Sequence, residues 1–135
     1  MAESIKVAQY FKVAVPDKSG EAVKMLDAVK GAGVNLLAFS GFPRGRKAQL
    51  DFVPEDPARF KEVAKYNKWK VQGPKSCFVV LGDDRVGAVA DVLGRLVDAR
   101  INVTAADAVS AGMGRFAVLI FVKPGAVKKA AAALG

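Results

Sequence analysis

The sequence predicts an α+β fold in which one β-α-β-β-α-β unit occurs twice along the chain. Three residue pairs share one spacing of 67 positions. They are Gly20 with Gly87, Leu26 with Leu93, and Asn35 with Asn102. A spacing that is held across a loop, a helix and a second loop indicates a tandem duplication. We therefore expect two units, residues 1–73 and 74–135, with antiparallel sheets and helices on one face.

The first unit has the pattern of strands and helices that defines a ferredoxin-like arrangement. Apolar residues alternate in the strands, recur every three or four positions in the helices, and are separated by Gly- and Pro-containing turns. The predicted elements are a strand over 5–15, a helix from Gly20 to Gly31, a strand over 34–40, a hairpin at 41–45, a strand over 48–52, a helix over 54–67 and a short strand over 69–72.

The second unit repeats this order but is predicted to lack its own fourth strand. Its elements are a strand over 75–81, a helix over 86–99, a strand over 102–109, a hairpin over 110–114, a strand over 115–122 and a helix from Pro124 to Leu134. Phe52 and Phe121 are 69 positions apart, which predicts two extra residues in the second hairpin. At that spacing, the counterpart of Trp69 would lie beyond residue 135. We expect the open sheet edge to pair with another chain or with the segment from Glu3 to Gln9.

The segment from Phe116 to Val122 is apolar on both faces of its predicted strand. Helices cover only one face of the sheet in a two-layer fold. A second copy of the chain is the simplest cover for the other face, so the sequence predicts a homodimer.

Composition argues against an enzyme and against metal or cofactor binding. The chain has no histidine, the usual general base near neutral pH and a common zinc ligand. Its single cysteine, Cys77, lies in an apolar run and is expected to be buried. The net charge of +8 comes from 21 basic and 13 acidic residues. Neither a signal peptide nor a membrane span is visible, so a cytoplasmic protein is expected.

Two segments, one in each unit, resemble the ACT family of small regulatory domains that bind amino acids. The family pattern is Asp-x-Pro-Gly opening a helix, then Gly-x-Asn-Ile entering the second strand. It is matched by Asp17, Gly20, Gly33 and Asn35 in the first unit and by Asp84, Gly87 and Asn102 in the second. Ser19 and Val86 replace the family's proline, and Arg100 replaces its helix-ending glycine.

The residue types at these positions suit recognition of a zwitterion. A glycine at a helix N-terminus leaves backbone N–H groups open to a carboxylate, an aspartate can accept an ammonium group, and an asparagine both donates and accepts. The same residues also serve as ordinary turn, cap or corner residues. The predicted ligand-binding residues are Asp17, Lys18, Ser19, Gly20, Glu21, Asn35, Leu36, Asp84, Arg85, Gly87 and Asn102.

The resemblance implies a sensor that binds a free amino acid at the seam between two such units and regulates a separate enzyme or partner. The first half-site matches better, and Leu36 to Ala38 favour a small apolar or branched-chain ligand. A protein-interaction module without a ligand is the alternative. RNA binding is less favoured, because Val118 stands where an RNA-recognition strand carrying Phe116 would need its second aromatic residue.

Overall fold

The computed structural model describes residues 3–135, and within them it has the α+β fold that the sequence predicts. The described residues form six strands and four α-helices. They are β1 Ser4–Pro16, α1 Glu21–Gly31, β2 Leu36–Arg44, β3 Lys47–Pro54, α2 Pro57–Tyr66, β4 Gln72–Asp83, α3 Ala88–Asp98, β5 Val103–Gly112, β6 Arg115–Val122 and α4 Val127–Leu134. None of these helices combines the length and the apolar character that a membrane crossing requires.

The chain divides into two compact units, which we call the central unit, residues 9–75, and the outer unit, residues 3–8 with 76–135. The predicted boundaries, 1–73 and 74–135, place residues 3–8 in the first unit and residues 74–75 in the second, whereas the structure groups each of these segments with the other unit. Met1 and Ala2, which the prediction also placed in the first unit, lie outside the described residues. Strands β1 and β4 each contribute to both units.

The central unit has the strand order β2-β3-β1-β4, and α1 and α2 pack on the same sheet face. Phe11 of β1 lies opposite Phe52 of β3, and both pack around Phe60 of α2, with ring centroids 4.8 Å and 5.2 Å from that of Phe60. The predicted strand over 69–72 is wrong for residues 69–71. The Trp69 backbone N–H instead donates to the Ala64 carbonyl (2.9 Å), which turns the indole into the core.

The beginning of β4 therefore serves as the central unit's fourth strand, and Gly73 is essential there. Its φ of 129° lies in the region that favours glycine, and a Cβ at this position would come within 2.7 Å of the Tyr10 carbonyl oxygen. The close approach of the two backbones explains why a side chain is absent at this point.

The outer unit has the strand order β1-β4-β6-β5, so residues 4–8 of β1 occupy the place of the fourth strand that the second repeat lacks. Of the two predicted ways to cover this edge, the structure has the N-terminal segment. Ile5 packs against the outer core. The Arg95 guanidinium donates to both carboxylate oxygens of Glu3 (2.6 and 2.9 Å), and this pairing holds the Glu3 pKa below its usual value.

The register of the strands corrects the predicted hairpin length. Phe11 of the first repeat lies opposite Phe52 in β3, and its counterpart in the second repeat, Phe78, lies opposite Ile120 in β6. Ile120 is therefore the counterpart of Phe52, at a spacing of 68, and Phe121 points to the opposite sheet face. The second hairpin contains one extra residue rather than two, and the register of β5 shifts across Ala111.

The sheet face that predicted a second copy of the chain is already buried in the single chain. Leu119 and Phe121 lie on the face of β6 away from α3 and α4, and they are 8% and 6% exposed. Because these side chains are buried, the apolar pattern of β6 no longer argues for a homodimer. The exposed strand is instead β5, in which every residue from 104 to 112 is exposed.

Candidate ligand-binding site

The loops that enter α1 and α3 have the same conformation in both units. Gly20 and Gly87 are the N-cap residues of these helices, with φ values of 90° and 81°. This left-handed conformation favours glycine, and neither residue supplies a side-chain acceptor to the first turn. The Glu21 and Ala88 N–H groups donate to the Lys18 and Arg85 carbonyls (3.4 and 3.2 Å). The next N–H groups, those of Ala22 and Val89, have no backbone acceptor among the described residues and are open to an anion.

Beside the first of these loops lies a cavity of about 360 Å³, which we call the first pocket. Its floor is formed by apolar residues of β1, β2, β3 and α1, and its rim carries three charged side chains. The floor contains Val15, Ala22, Phe39, Gly41, Ala48 and Leu50; the rim contains Asp17, Lys18 and Glu21, with Pro16, Phe42 and Pro43 completing the lining.

The charged side chains on the rim of the first pocket have few partners. Among the described residues, no side-chain hydrogen bond or ion pair engages Asp17 or Lys18. Glu21 makes only a 3.7 Å ion pair with Lys24, whose side chain is 77% exposed. Such surface pairs contribute little, so all three rim charges are available to a ligand.

A second pocket lies at the equivalent place in the outer unit and is smaller, about 240 Å³. The two pockets correspond position by position, because the strand registers align β5 with β2 and β6 with β3. The second pocket is lined by Asp84, Arg85, Gly87, Ala88, Val89, Ala90, Ala108, Val109, Ser110 and Phe116.

Charged groups in the second pocket are already paired within the unit. The Ser110 hydroxyl donates to the Asp84 carboxylate (2.7 Å), and the Arg85 guanidinium donates to the Asp91 carboxylate (2.5 Å). Ala88 stands where the first pocket has Glu21, so the second pocket has one carboxylate fewer on its rim.

The apolar lining also differs between the pockets. Phe116, only 4% exposed, occupies the position that Ala48 has in the first pocket. Its ring lies over Gly82, the residue directly opposite it on β4, and a Cβ at Gly82 would come within 2.6 Å of the ring. The Phe116 ring packs among the helices of the outer core, so it is not exposed for stacking on a nucleobase.

The asparagines predicted for the site lie elsewhere in the structure. Asn35 and Leu36 line a separate depression of about 470 Å³ beside the C-terminal half of α1, with Gly33 and Lys30. The Asn35 amide donates to the Glu55 carboxylate (3.5 Å). These residues and the Asp17 loop line different cavities of the central unit.

The remaining predicted site residues, Ser19, Gly20 and Asn102, line neither of the two pockets. Ser19 is exposed in the first loop, and Gly20 sets the loop conformation without lining the first pocket. Asn102 is exposed and does not line the second pocket. The described residues contain no group of three or more His, Cys, Asp or Glu side chains that could hold a metal ion.

The floor of the first pocket was missed by the sequence analysis. Phe39, Ala48 and Leu50 are reached only through pairing of β2 with β3 and of β3 with β1. Local motifs do not reveal such positions, although aligning the two hairpins by their core faces would have matched Ala48 with Phe116.

Comparison with known proteins relates the chain to solved structures alone. No protein-family model matches the sequence. No curated protein matches it either. A protein of Bacteroides thetaiotaomicron, BT0572, superposes with a TM-score of 0.83 at 19% identity, covering 96% of this chain and 88% of its own.

Two aspartate kinase structures are also similar. The aspartokinase alpha and beta subunits give a TM-score of 0.69 at 21% identity, covering 99% of this chain and 95% of that one. The ligand-free regulatory subunit of aspartate kinase from Thermus thermophilus gives a TM-score of 0.69 at 16% identity, and the match covers 98% of this chain and 93% of the subunit. The chain shares their fold. At these identities the comparison establishes the fold alone.

Proposed function

We propose that this protein is a non-catalytic sensor that binds a free amino acid in the first pocket and regulates a separate enzyme or other partner. One observation carries the proposal: side chains of opposite charge, Asp17 and Lys18, lie at the rim of an apolar pocket and have no partner among residues 3–135. A free amino acid has the complementary arrangement of an ammonium, a carboxylate and a side chain.

Each part of the ligand has a group to receive it. The carboxylates of Asp17 and Glu21 accept hydrogen bonds from the ammonium group. The Lys18 ammonium and the uncapped N–H groups of α1 donate to the carboxylate, and the positive end of the helix dipole favours that charge. The amino-acid side chain then lies over the apolar floor.

The regulatory part of the proposal rests on the fold and on the chemistry of the pocket. The pocket lining contains neither a histidine nor a cysteine, so it offers no conventional nucleophile–base pair. The regulatory subunit of aspartate kinase from Thermus thermophilus has the same fold. Together these observations favour a binding protein that acts on a separate enzyme.

The resemblance to ACT domains extends the proposal to Asn35, Leu36 and Asn102 at a seam between units. In the central unit, Asn35 and Leu36 line a depression separate from the pocket beside the Asp17 loop. A ligand at that loop therefore meets such residues only if another unit packs beside the loop and supplies its own. A second copy of the chain is the proposed source of that unit.

The exposed strand β5 provides a surface for such a homodimer. It ends the strand order of the outer unit, and one backbone edge therefore has no neighbouring strand among the described residues. Uncovered edges tend to pair with another strand. Sedimentation velocity at micromolar concentration tests this association, and a monomer under those conditions contradicts it.

A thermal-shift assay against the free amino acids, each at millimolar concentration, tests ligand binding. A ligand that binds only the folded state stabilises it by about 2.7 kcal/mol at a concentration one hundred times the Kd. We expect a rise in Tm with one chemical class of amino acid, and we expect Asp17→Asn and Lys18→Ala to reduce it. Lys128→Ala, which removes the same charge from α4, is the matched control. The absence of a shift with every amino acid would contradict the proposal.

A further inference from the structure

The two pockets occupy equivalent positions, yet they differ in volume, in free charge and in one aromatic ring. We propose that only the first pocket binds an amino acid, that each chain binds one molecule, and that this ligand carries an apolar side chain. The inference rests on the proposed function and specifies its stoichiometry and ligand class. Ala48 is the residue that keeps the first pocket open.

Volume is the first difference between the pockets. Pockets that bind small molecules have volumes of about 300–1,000 Å³. The first pocket, at about 360 Å³, falls within this range, whereas the second, at about 240 Å³, falls below it. The first pocket is large enough for a single amino acid.

The Phe116 ring accounts for the smaller volume of the second pocket. In the central unit, Val15 faces Ala48 across β1 and β3; in the outer unit, Gly82 faces Phe116 across β4 and β6. Val15 and Ala48 both line the first pocket, whereas in the second pair the side chain of β4 is absent and a phenylalanine on β6 takes the place of Ala48. Because Phe116 is buried and rests directly on Gly82, its ring cannot withdraw without losing core contacts.

Free charge is the second difference. The first pocket presents Asp17, Lys18 and Glu21 to a ligand. In the second pocket, Arg85 is paired with Asp91 at a distance of 2.5 Å. This pair is exposed and contributes little stability by itself, so the difference is one of availability: Arg85 already has a carboxylate partner, whereas Lys18 has none among the described residues.

The composition of the floor defines the ligand class. The side chains on it are aliphatic or aromatic, and Leu50 is only 3% exposed. Gly41 keeps the space above the floor open, since a Cβ there would approach Leu50 Cδ2 to 3.2 Å. A charged ligand side chain would lose hydration on this floor without gaining a partner there, which disfavours its binding. Leucine, isoleucine, methionine and phenylalanine fit; lysine, aspartate and glutamate do not.

Isothermal titration calorimetry with L-leucine, L-phenylalanine, L-lysine and L-aspartate tests the inference on the full chain. We expect leucine or phenylalanine to bind with one site per chain and to bind at least tenfold more tightly than lysine or aspartate. Two sites per chain, or equal affinity for lysine, would overturn the inference and leave the proposed function standing. Failure of every amino acid to bind, including the remaining common ones, would overturn both.

A pair of equivalent substitutions assigns the site to one pocket. Lys18→Ala is expected to weaken binding about tenfold or more, as expected for loss of a hydrogen bond between charged groups. Arg85→Ala, at the matching position of the second pocket, is expected to leave the affinity unchanged. Both side chains lie at the surface, so neither change threatens folding. Weakening by Arg85→Ala and not by Lys18→Ala would overturn the assignment.

The role of Ala48 is tested by introducing the aromatic ring of the second pocket at the equivalent position of the first pocket. The double variant Val15→Gly with Ala48→Phe reproduces the pair that Gly82 and Phe116 form. We expect it to lose ligand binding while keeping a cooperative thermal transition. Wild-type affinity in this folded variant would overturn the role of Ala48. If the double variant does not fold, Ala48→Leu introduces a smaller side chain into the pocket. It is also expected to lose ligand binding, and wild-type affinity in this variant would overturn the role of Ala48.

Discussion

The ends of α1 and α3 provide a direct test of the correspondence between the two repeats. Gly33 follows α1 with a φ of 74°, and Arg100 follows α3 with a φ of 60°. The backbone hydrogen bonds are the same: the N–H of Val34 donates to the Val29 carbonyl (3.1 Å), and that of Ile101 donates to the Leu96 carbonyl (2.9 Å). The left-handed conformation is therefore required at both ends, although only one of them has a glycine.

The cost of Arg100 follows from its backbone conformation. A residue with a Cβ in the left-handed region costs about 1–2 kcal/mol. Arg100→Gly removes this cost but increases the entropy of the unfolded chain, which offsets about 0.4–1 kcal/mol. We expect a net stabilisation of about 0.5–1 kcal/mol, equivalent to a rise in Tm of about 2–6 °C for a unit of this size.

Chemical denaturation and thermal melting of three variants measure this effect. Arg100→Gly is expected to be more stable than the wild-type protein. Arg100→Ala removes the same charge but retains a Cβ, so it is expected to be close to wild type. Gly33→Arg is the reverse change, and it is expected to destabilise by a similar amount, since a Cβ at Gly33 meets no other atom within 4 Å.

Two results would refute the reasoning. Equal stabilisation by Arg100→Ala and Arg100→Gly would show that charge, and not backbone conformation, is responsible. A Gly33→Arg variant as stable as the wild-type protein would show that the left-handed conformation carries no cost at this end of the helix.

Two further substitutions test contacts that hold the outer unit together. Glu3→Gln is expected to destabilise the protein by up to about 1 kcal/mol at pH 7, because the Glu3–Arg95 pair is partly exposed. Because the pairing lowers the Glu3 pKa, its contribution to stability is complete above the unfolded value of 4.5 and is lost as the pH falls through the lower folded pKa. Urea unfolding should therefore show the free energies of unfolding of the variant and the wild type converging in acid. A difference in free energy that does not change with pH would count against the pairing. Gly82→Ala is expected to cost about 1–3 kcal/mol by overpacking against Phe116, and the additional change Phe116→Leu is expected to recover part of that loss. Thermal melting measures both, and an unchanged Tm for Gly82→Ala would show that the ring has room to move.

The repeat allowed the fold to be predicted from the sequence, because the spacing of 67 reports equivalent positions whatever their environment. It also predicted that the second unit would lack a fourth strand. Which segment supplies that strand was left open, since strand pairing between distant segments depends on tertiary geometry. Residues 4–8 supply it, held by the contact of Glu3 with Arg95.

The candidate site was predicted only in its local parts. The Asp17 loop was found because a turn, a glycine and a helix start are adjacent in sequence. Asn35 was joined to it by family resemblance, and the structure places Asn35 in another depression. The floor residue Ala48 was not found, because its role depends on the register of β3 against β1. A one-residue error in the predicted hairpin concealed its correspondence with Phe116.

The most direct test of the central claim is a titration of the isotopically labelled protein with L-leucine and L-phenylalanine, followed by two-dimensional amide NMR. We expect the amide signals of residues 17–22 and 39–43 to shift progressively, while those of residues 84–90 and 108–110 stay in place. Shifts confined to the second set, or no shift in either set at millimolar ligand, would contradict an amino-acid site in the first pocket.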